Sequence, residues 1–382
     1  MMNYLLSLVL VSLTFSAFAE KETRSGLKVM GVKYPNIPGS VEEGFAPVST
    51  PALYENVTHL DDSGFNDLTP FLLASPNQED AGSCLYMAHT GIAEWWLAKL
   101  HPHISRAADG PIDLSERYTM NIATSDAVKN WKTDTIYAFN NLHQGVKNTS
   151  YRYTKGWYGQ DANGDIVARS GAGEGNEYGT YINWVKNTES ITDGFVDLPH
   201  FERDIIFADP KSNQWNVDVM PDDIVTRVKL ALLSKKAPVM VIYNHYGYWH
   251  AVMVVGFDDK RSSEGCEFTT EFSPYMNKKA KDYDAQAERT DDLELKKTLA
   301  KRAAVYAGYA QKAQQRLSKV GGCSNQGVFY IRDSIYPDPQ AAKYDYDLTV
   351  KGEEGHYVKK LILREYEWLE VLANHAVQIY VE

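Results

Sequence analysis

The chain contains few cysteines, no excess of basic residues and, after its first nineteen residues, no long apolar run. A formal net charge of −11 over 382 residues argues against nucleic acid or an anionic membrane surface as the main partner. Because the N-terminal run is too short to span a membrane and no other segment is long and apolar enough, membrane insertion is not expected. Long repeats and low-complexity linkers are absent too, whereas 44% hydrophobic and 23% charged residues are typical of a globular protein.

The N-terminus predicts a secretory signal peptide over residues 1–19. The run LLSLVLVSLTFSAFA is apolar and ends in Ala17-Phe18-Ala19, a small-x-small cleavage pattern before Glu20. The preceding MMNY contains no Lys or Arg, and a buried N-terminal strand is the alternative. We expect cleavage after Ala19 and a secreted or periplasmic protein. The residue directly after Ala19 is not a cysteine, which argues against a lipoprotein anchor.

Hydrophobic periodicity divides the mature chain into helical and β-rich segments, which predicts an α+β fold. Residues 20–55 contain four prolines and little periodicity, so they form an N-terminal extension or a short propeptide. Residues 56–382 are expected to form the main domain, with a helical insertion at 267–322. Predicted helices cover Cys84 to about Leu100, 111–123, 177–187 and 222–236, the last with an aspartate cap. Predicted strands cover 238–244, 250–259, 327–334 and 375–381, and a hairpin turns at Asn163-Gly164.

The three cysteines are Cys84, Cys266 and Cys323, an odd number that implies one pair and one free thiol in an exported chain. Cys266 and Cys323 flank a highly charged segment and are natural partners. A disulfide that closes a loop of this length contributes roughly 4 kcal/mol to stability. Cys84 then remains as the free thiol.

The segment between the paired cysteines predicts a helical hairpin. Apolar residues recur every three or four positions from Leu295 to Leu317, with Lys, Glu and Gln between them. Pro274 is expected at the start of one helix and Asp291-Asp292 at the cap of the next. A solvated, charged insertion is the simplest interpretation. An arm that binds a protein partner and a lid are the alternatives.

The free thiol lies where a cysteine has a chemical use. The start of a helix carries partial positive charge that favours a thiolate, and its unpaired N–H groups stabilise an oxyanion. A thiolate nucleophile needs a histidine partner, and that histidine needs an orienting group. His250 opens the predicted strand HAVMVVGF, and Asp333 ends the predicted strand FYIRDS. Taken singly, Cys84 fits a core cysteine, His250 a strand residue and Asp333 a turn residue.

Four short motifs, taken in order, resemble the papain-like cysteine peptidase superfamily, in particular its divergent bacterial members. NQEDAGSC resembles the loop that carries a glutamine six residues before the nucleophile, and DLSE resembles the Leu-Ser-Glu that follows the catalytic helix. WHAVMVVGFDD resembles the histidine strand, and FYIRDS resembles the strand with the third catalytic residue. The motifs span roughly residues 60–340.

This resemblance implies a papain-like two-part fold. A helical half would carry the cysteine helix, and a β-rich half would carry His250 and Asp333. The resemblance also implies Cys84 as the nucleophile, His250 as base and acid, and Asp333 as the orienting residue. Gln78 and the backbone N–H of Cys84 would form the oxyanion hole; an ordinary loop residue is the alternative for Gln78.

Substrate contacts are expected from Gly82 and Ser83, just ahead of the nucleophile, and from Gly175, in a segment that resembles the glycine segment of the family's substrate cleft. A flexible loop is the alternative for Gly175. The chain departs from the family pattern at Asp333, where asparagine is usual, and at Ile335, where a tryptophan normally covers the catalytic pair. The family's usual disulfide framework is also missing.

The resemblance therefore implies an exported cysteine peptidase that hydrolyses a polypeptide substrate, with no cofactor and no metal ion. Two alternatives remain open. Another Cys-His-Asp acyl-transfer enzyme, such as a transglutaminase-like cross-linker or an amidase, uses the same residues with a different acceptor. A catalytically inactive papain-like binding protein accounts for the departures at Asp333 and Ile335.

Overall fold

A computed structural model of the chain describes much of the region from residue 71 to residue 382. The described residues are 71–73, 75–76, 78, 84–102, 112–119, 135–150, 156–160, 166–170, 191–208, 220–261, 266–324, 326–334, 350–351, 357–358 and 361–382. The predicted signal peptide, the extension at 20–55 and the predicted helix at 177–187 lie outside them. Among the described residues, no helix is both long enough and apolar enough to cross a membrane.

The described part of the chain mixes helices with antiparallel strands, in agreement with the predicted α+β class. The helices are α1 (Cys84–Leu100), α2 (Thr135–Leu142), α3 (Ile224–Lys235), α4 (Glu267–Arg289), α5 (Leu293–Lys319) and α6 (Tyr366–Leu372). The strands are β1 (Gln144–Val146), β2 (Gly156–Gln160), β3 (Ile166–Ser170), β4 (Phe195–Asp197), β5 (Glu202–Ala208), β6 (Val239–His245), β7 (Tyr248–Asp258), β8 (Val328–Arg332), β9 (Val350–Lys351), β10 (Tyr357–Val358), β11 (Ile362–Glu365) and β12 (Ala373–Tyr380).

A six-stranded antiparallel sheet lies at the centre, in the strand order β11-β8-β7-β6-β12-β5. The predicted strands at 238–244, 250–259, 327–334 and 375–381 are confirmed as β6, β7, β8 and β12, whereas β5 and β11 were not predicted. Every residue of β6, β8 and β12 is buried, so both faces of the sheet are covered along these strands. The strands that carry the predicted histidine and aspartate, β7 and β8, are direct neighbours.

The predicted hairpin of β6 and β7 is confirmed, with a turn of two residues, Tyr246 and Gly247. Their φ angles are 49° and 95°, and a tight type I′ turn requires positive values at both positions. The sequence predicted a five-residue separation, but β6 continues to His245 and β7 starts at Tyr248. The side-chain oxygen of Asn244 accepts the N–H of Gly247 at 2.8 Å and closes the turn.

The predicted cysteine helix is confirmed as α1, which runs from Cys84 to Leu100 and is buried along most of its length. It packs against β7, and the indole N–H of Trp96 donates to the carbonyl of Ile379 in β12 at 3.1 Å. Residues on all sides of α1 are buried, as in a central helix. The position of Cys84 is therefore set by core packing.

The predicted helical hairpin and its disulfide are confirmed. Helices α4 and α5 pack against each other, and Cys266 and Cys323 are joined by a disulfide at the base of the pair. The hairpin is not a purely solvated insertion. Both helices also contact α6, and the guanidinium of Arg316 donates to the carbonyls of Val371 and Ala373 at 3.2 and 2.8 Å.

The position of Pro274 was predicted wrongly, because this residue lies inside α4 and not at its start. The helix begins instead at Glu267, directly after the disulfide. The backbone N–H and the hydroxyl of Thr270 both donate to the carbonyl of Cys266, which satisfies an acceptor at this end of the helix. Helix α4 therefore begins at the first residue of the expected insertion, 267–322.

Smaller two-stranded ribbons accompany the central sheet. β1 pairs with β4, β2 with β3, and β9 with β10. The β2–β3 pair agrees with the hairpin predicted around Asn163-Gly164, although residues 161–165 lie outside the described part. The helix predicted at 111–123 is described only as one helical turn at 116–119.

The two predicted aspartate caps differ. Asp292 precedes α5, and its carboxylate accepts the N–H groups of Glu294 and Leu295 at 2.9 and 3.1 Å. Asp223 precedes α3 but makes no side-chain capping bond, and its carboxylate pairs instead with Arg227 at 2.8 Å. The cap on α5 is therefore confirmed, whereas Asp223 stands at the cap position of α3 without making the capping bond.

Replacing Asp292 by alanine should lower the free energy of unfolding by about 1 kcal/mol, because two N–H groups lose their acceptor. The matched control, Asp223→Ala, loses only an exposed pair to Arg227 and should cost less than about 0.5 kcal/mol. Urea denaturation of both variants measures the difference. Equal losses would contradict the assignment of the cap to Asp292.

Candidate functional site

Cys84 is the first residue of α1 and is only 1% exposed. Its backbone N–H belongs to the first turn, where N–H groups have no acceptor within the helix. The positive end of the helix dipole lies at the same place and favours negative charge. The thiol therefore occupies an end of the helix that suits an anion.

The two other residues of the predicted triad meet behind this helix end. His250 lies in β7 and Asp333 directly follows β8. The Nε2 atom of His250 lies 2.7 Å from Oδ1 of Asp333, and both side chains are buried. Nδ1 of His250 makes no hydrogen bond to any described residue. That nitrogen is the one available to a thiol, and catalytic hydrogen bonds are often long before substrate binds.

A β-bulge in β7 decides that His250 and Asp333 meet. The pairing with β8 shifts between Val254 and Gly256, so that Val255 is an extra residue and Met253 lies opposite Arg332. Continuing this register places Asp333 beside Val252, two positions from His250 and therefore on the same face. Without the extra residue, Asp333 would lie beside Met253 and face the other side of the sheet.

The ionisation of His250 follows from its neighbours. Burial alone would lower its pKa, but the charge and hydrogen bond of the Asp333 carboxylate, together with the nearby Cys84 thiol, raise the pKa to about 9. A carboxylate and a thiolate near an imidazole both favour the protonated ring. His250 is therefore an imidazolium at neutral pH.

Three other buried histidines are held neutral. Burial, and then Arg203, lowers the pKa of His89 to about 3, and burial lowers that of His375 to about 4. Burial, and then the charge of His250, lowers the pKa of His245 well below its ordinary value. At neutral pH these three histidines are therefore uncharged, whereas the raised pKa of His250 favours its protonated form.

Gln78 is buried and is bound to the residue that follows Asp333. The backbone N–H of Gln78 donates to the carbonyl of Ser334 at 2.8 Å, and the hydroxyl of Ser334 donates to Oε1 of Gln78 at 2.5 Å. The oxygen of the side-chain amide is thereby directed to Ser334, and its NH2 end points the other way. Sequence reasoning did not identify Ser334, although it lies within the quoted motif FYIRDS.

A second residue that sequence reasoning missed is Arg332, directly before Asp333. Its guanidinium lies 3.3 Å from the carboxylate of Glu94 in α1 and also donates to the carbonyl of Leu73 at 3.3 Å. The other oxygen of Glu94 accepts the N–H of Leu114 at 2.9 Å. The signal in the sequence was a charged residue within an apolar run, since buried charges are nearly always paired.

Arg332 connects the segments that carry three of the predicted site residues. It contacts the cysteine helix through Glu94 and the segment before Gln78 through Leu73. Gly91 gives the side chain room to cross α1, because a Cβ atom there would collide with the guanidinium of Arg332. Any larger residue at this position would push Arg332 away from Glu94.

Glu94 also belongs to a group of carboxylates with Asp113 and Glu116, whose donor atoms lie within 4.8 Å of one another. Carboxylate oxygens suit a hard cation, but Arg332 already supplies positive charge to Glu94. Burial raises the pKa of Glu116 to about 7 and that of Glu94 well above its ordinary value. Protons and Arg332 thus relieve the repulsion within the group.

The remaining predicted site residues lie outside the described part of the chain. These are the expected substrate contacts Gly82, Ser83 and Gly175, together with Ile335. The structure thus brings together His250 and Asp333 near Cys84, and it ties Gln78 to the Asp333 loop through Ser334.

Comparison with known proteins gives a structural likeness but no match in sequence. No protein-family model matches the chain, and no curated protein sequence matches it. Among solved structures, the chain is similar to the Amb a 11 cysteine protease, a ragweed pollen allergen, in its proform. The TM-score is 0.36 and the identity 12%, over 88% of this chain and 70% of that one. At this level of similarity, function must be argued from the residues of the site.

Replacing Arg332 by methionine should lower the free energy of unfolding by about 3 kcal/mol at pH 7, because the buried Glu94 carboxyl loses its cation and must either carry an unpaired charge or take up a proton. Carboxyl groups with raised pKa values bind protons more tightly in the folded state, so stability is lost as pH rises and regained as pH falls. The loss should therefore shrink at pH 5, because Glu116, with a pKa of about 7, is then protonated and the raised pKa of Glu94 favours its neutral form.

Urea denaturation at pH 5 and pH 7 measures this difference. The double variant Arg332→Met with Glu94→Leu serves as the control, since it removes both charges and should recover part of the loss. A single-variant loss that is the same at both pH values would contradict the role of Arg332 as the counter-ion.

Proposed function

We propose that the chain is an exported cysteine peptidase of the papain-like kind, which hydrolyses peptide bonds through Cys84, His250 and Asp333. The observation that carries this proposal is the buried hydrogen bond of 2.7 Å between His250 and Asp333 next to the start of the cysteine helix. It leaves Nδ1 of His250 for the thiol and holds the ring protonated at neutral pH. An imidazolium beside a thiol at a helix start is the arrangement that activates a cysteine nucleophile.

The division of the three proposed residues between a helix and the sheet supports the same proposal. Cys84 belongs to a helical part through α1, whereas His250 and Asp333 belong to the central sheet through β7 and β8. A reactive centre formed between two parts needs distant segments to meet, and Arg332 and Glu94 join them. Residues 56–382 would then be the catalytic domain, with the helical hairpin at 267–322 as its insertion.

In the first half of the proposed reaction, the Cys84 thiolate attacks the carbonyl carbon of the scissile peptide bond. A carbon–sulfur bond forms and the carbonyl oxygen becomes an oxyanion. His250 gives its proton to the leaving amine as the carbon–nitrogen bond breaks, which leaves an acyl-enzyme thioester. The Asp333 carboxylate keeps the ring oriented and stabilises its positive charge.

In the second half, a water molecule replaces the amine. Neutral His250 takes a proton from the water while the oxygen attacks the thioester carbon. The carbon–sulfur bond then breaks, the product leaves as a carboxylic acid, and the thiolate and imidazolium are restored. Every proton taken up in one half is returned in the other.

The proposed oxyanion hole consists of the Cys84 backbone N–H and the side-chain amide of Gln78. The N–H lies at a helix start, where it has no intrahelical acceptor. Ser334 binds the oxygen of the Gln78 amide, so its NH2 end is directed away from Ser334. Removing one oxyanion donor typically costs 10²- to 10³-fold in turnover. We expect the loss of turnover in Gln78→Ala to be no larger than this.

Export is part of the proposal. The apolar segment at 1–19 would act as a signal peptide, with residues 20–55 as an extension or short propeptide. The disulfide between Cys266 and Cys323 supports an oxidising compartment, since such bonds are rare in the cytosol. N-terminal sequencing of the secreted protein tests this part: a start at Glu20 supports cleavage after Ala19, and an intact Met1 opposes it.

The main test is the rate at which iodoacetamide alkylates Cys84 between pH 4 and pH 9, with Cys266 and Cys323 left oxidised. Fast alkylation at low pH that is lost in His250→Ala would support a thiolate–imidazolium pair. Asp333→Asn should keep part of this reactivity, because it keeps the ring but removes the negative charge that raises the pKa of His250. Cys84→Ser identifies labelling at other sites.

Slow alkylation that rises only near pH ~8.5, the pKa of an ordinary thiol, and does not depend on His250 would oppose the catalytic proposal. A binding protein would then be the better interpretation. If the thiol is reactive, a peptide library offered together with a free amine separates the acyl acceptors. Hydrolysis products lost in Cys84→Ala support a peptidase, whereas incorporation of the amine supports a cross-linking enzyme.

A further inference from the structure

The helical hairpin of α4 and α5 is inserted between the two strands that carry the candidate site. It leaves the sheet after β7, which holds His250, and returns before β8, which leads to Asp333. Its base is closed by the disulfide of Cys266 and Cys323. An insertion at this point can influence how the histidine and the aspartate are positioned relative to each other.

Helix α5 contacts the turn of the β6–β7 hairpin through one tyrosine. The ring of Tyr306 lies against Gly247, where a Cβ atom would come within 2.5 Å of the ring carbon Cε1. Tyr306 is itself held by a parallel stack on Tyr283, with ring centres 5.3 Å apart and planes at 7°. The ammonium of Lys279 lies 5.2 Å from the same ring. These contacts therefore hold the ring of Tyr306 in place against the turn.

Helix α4 covers the other residue of the turn. The ring of Tyr246 lies 5.1 Å from that of Phe268, 4.8 Å from that of Tyr275 and 6.2 Å from that of Phe272. Aromatic pairs at such distances are worth about 0.5–1.5 kcal/mol each beyond the area they bury. Both helices of the insertion thus hold the same two-residue turn from different sides.

The turn is linked to His250 by two short steps. Tyr243 pairs directly with His250 across the hairpin, and His245 is two positions further along β6, so all three side chains share one face. The rings of Tyr243 and His245 each lie 5.6 Å from that of His250. The hydroxyl of Tyr243 is 2.8 Å from Nδ1 of His245. Tyr243 and His245 thus form an aromatic wall beside His250, and the ring of Phe268 packs against this wall, 5.5 Å from that of His245.

We propose that the helical hairpin positions His250 for catalysis, with Tyr306 and Phe268 as positioning residues that act through the β6–β7 turn and the wall of Tyr243 and His245. This inference rests on the proposed function. The hairpin holds the imidazole against Asp333 and fixes the direction in which Nδ1 faces the thiol. The insertion thereby gains a role in the reaction that a solvated arm would not have.

The charged and titratable groups that act on this face come from several elements. They are Cys84 at the start of α1, Asp333 after β8, Tyr243 and His245 of β6, Lys279 of α4 and Arg364 of β11. A displaced turn changes the distance of the ring from both Asp333 and Cys84. The pH profile of Cys84 reactivity therefore reports on the position of the imidazole, whereas a loss of stability alone leaves that profile unchanged.

The test compares Tyr306→Leu with the wild type in the alkylation of Cys84 between pH 4 and pH 9. A misplaced catalytic group typically costs up to about 10²-fold, so we expect the low-pH alkylation rate to fall roughly 10-fold or more. Tyr306→Phe keeps the ring that meets Gly247 and should retain the wild-type profile. Leu299→Ala is the matched control, because it removes a buried side chain of α5 seven residues before Tyr306. It should lower the melting temperature without changing the profile.

The outcomes separate this inference from the proposed function. If the wild type shows no fast alkylation at low pH, the proposed function fails. If the wild type is reactive and Tyr306→Leu has the same profile, the positioning role is overturned. Should Tyr306→Leu fail to fold, Tyr283→Leu decides, since it removes the stack behind Tyr306 without touching the turn. A profile shifted in the same direction supports the inference, and an unchanged one overturns it.

Discussion

The arrangement of the candidate site depends on one irregularity in the pairing of β7 with β8. Side chains along a strand alternate between the two faces of a sheet, so a one-residue change in register moves every following residue to the other face. The extra residue Val255 makes this change, and it brings Asp333 onto the face of His250. The hydrogen bond between these two side chains, the raised pKa of the imidazole and the orientation of Nδ1 all follow from that register.

A buried network then joins the strand end to the rest of the site. Arg332 reaches Glu94 in the cysteine helix, and Ser334 binds Gln78. The residues on both sides of Asp333 thus hold the segments that would supply the nucleophile and the oxyanion donor. Such buried polar contacts contribute little net stability when complete but cost much when broken. They restrict the chain to one arrangement, which is what a reactive centre built from distant segments requires.

Much of the local structure was predictable because it depends on short-range patterns. The start of α1 at Cys84, the hairpin of β6 and β7 and the cap at Asp292 all agree with residue spacing and turn chemistry. Two details of the helix starts differ from the prediction. Pro274 was placed at a helix start, but α4 begins earlier, at Glu267, and contains Pro274. Asp223 looked like a cap, but an arginine one turn away takes its carboxylate.

The residue types of the candidate site, their order in the chain and their placement on a helix start and two strands could all be read from the sequence, because they follow from local spacing. Which side chains meet could not be read in the same way. The bulge at Val255, the crossing of Arg332 over Gly91 and the contact of Tyr306 with Gly247 each join residues that are far apart along the chain or depend on a register. Such contacts are selected by the packing of the whole core, and no short pattern in the sequence encodes them.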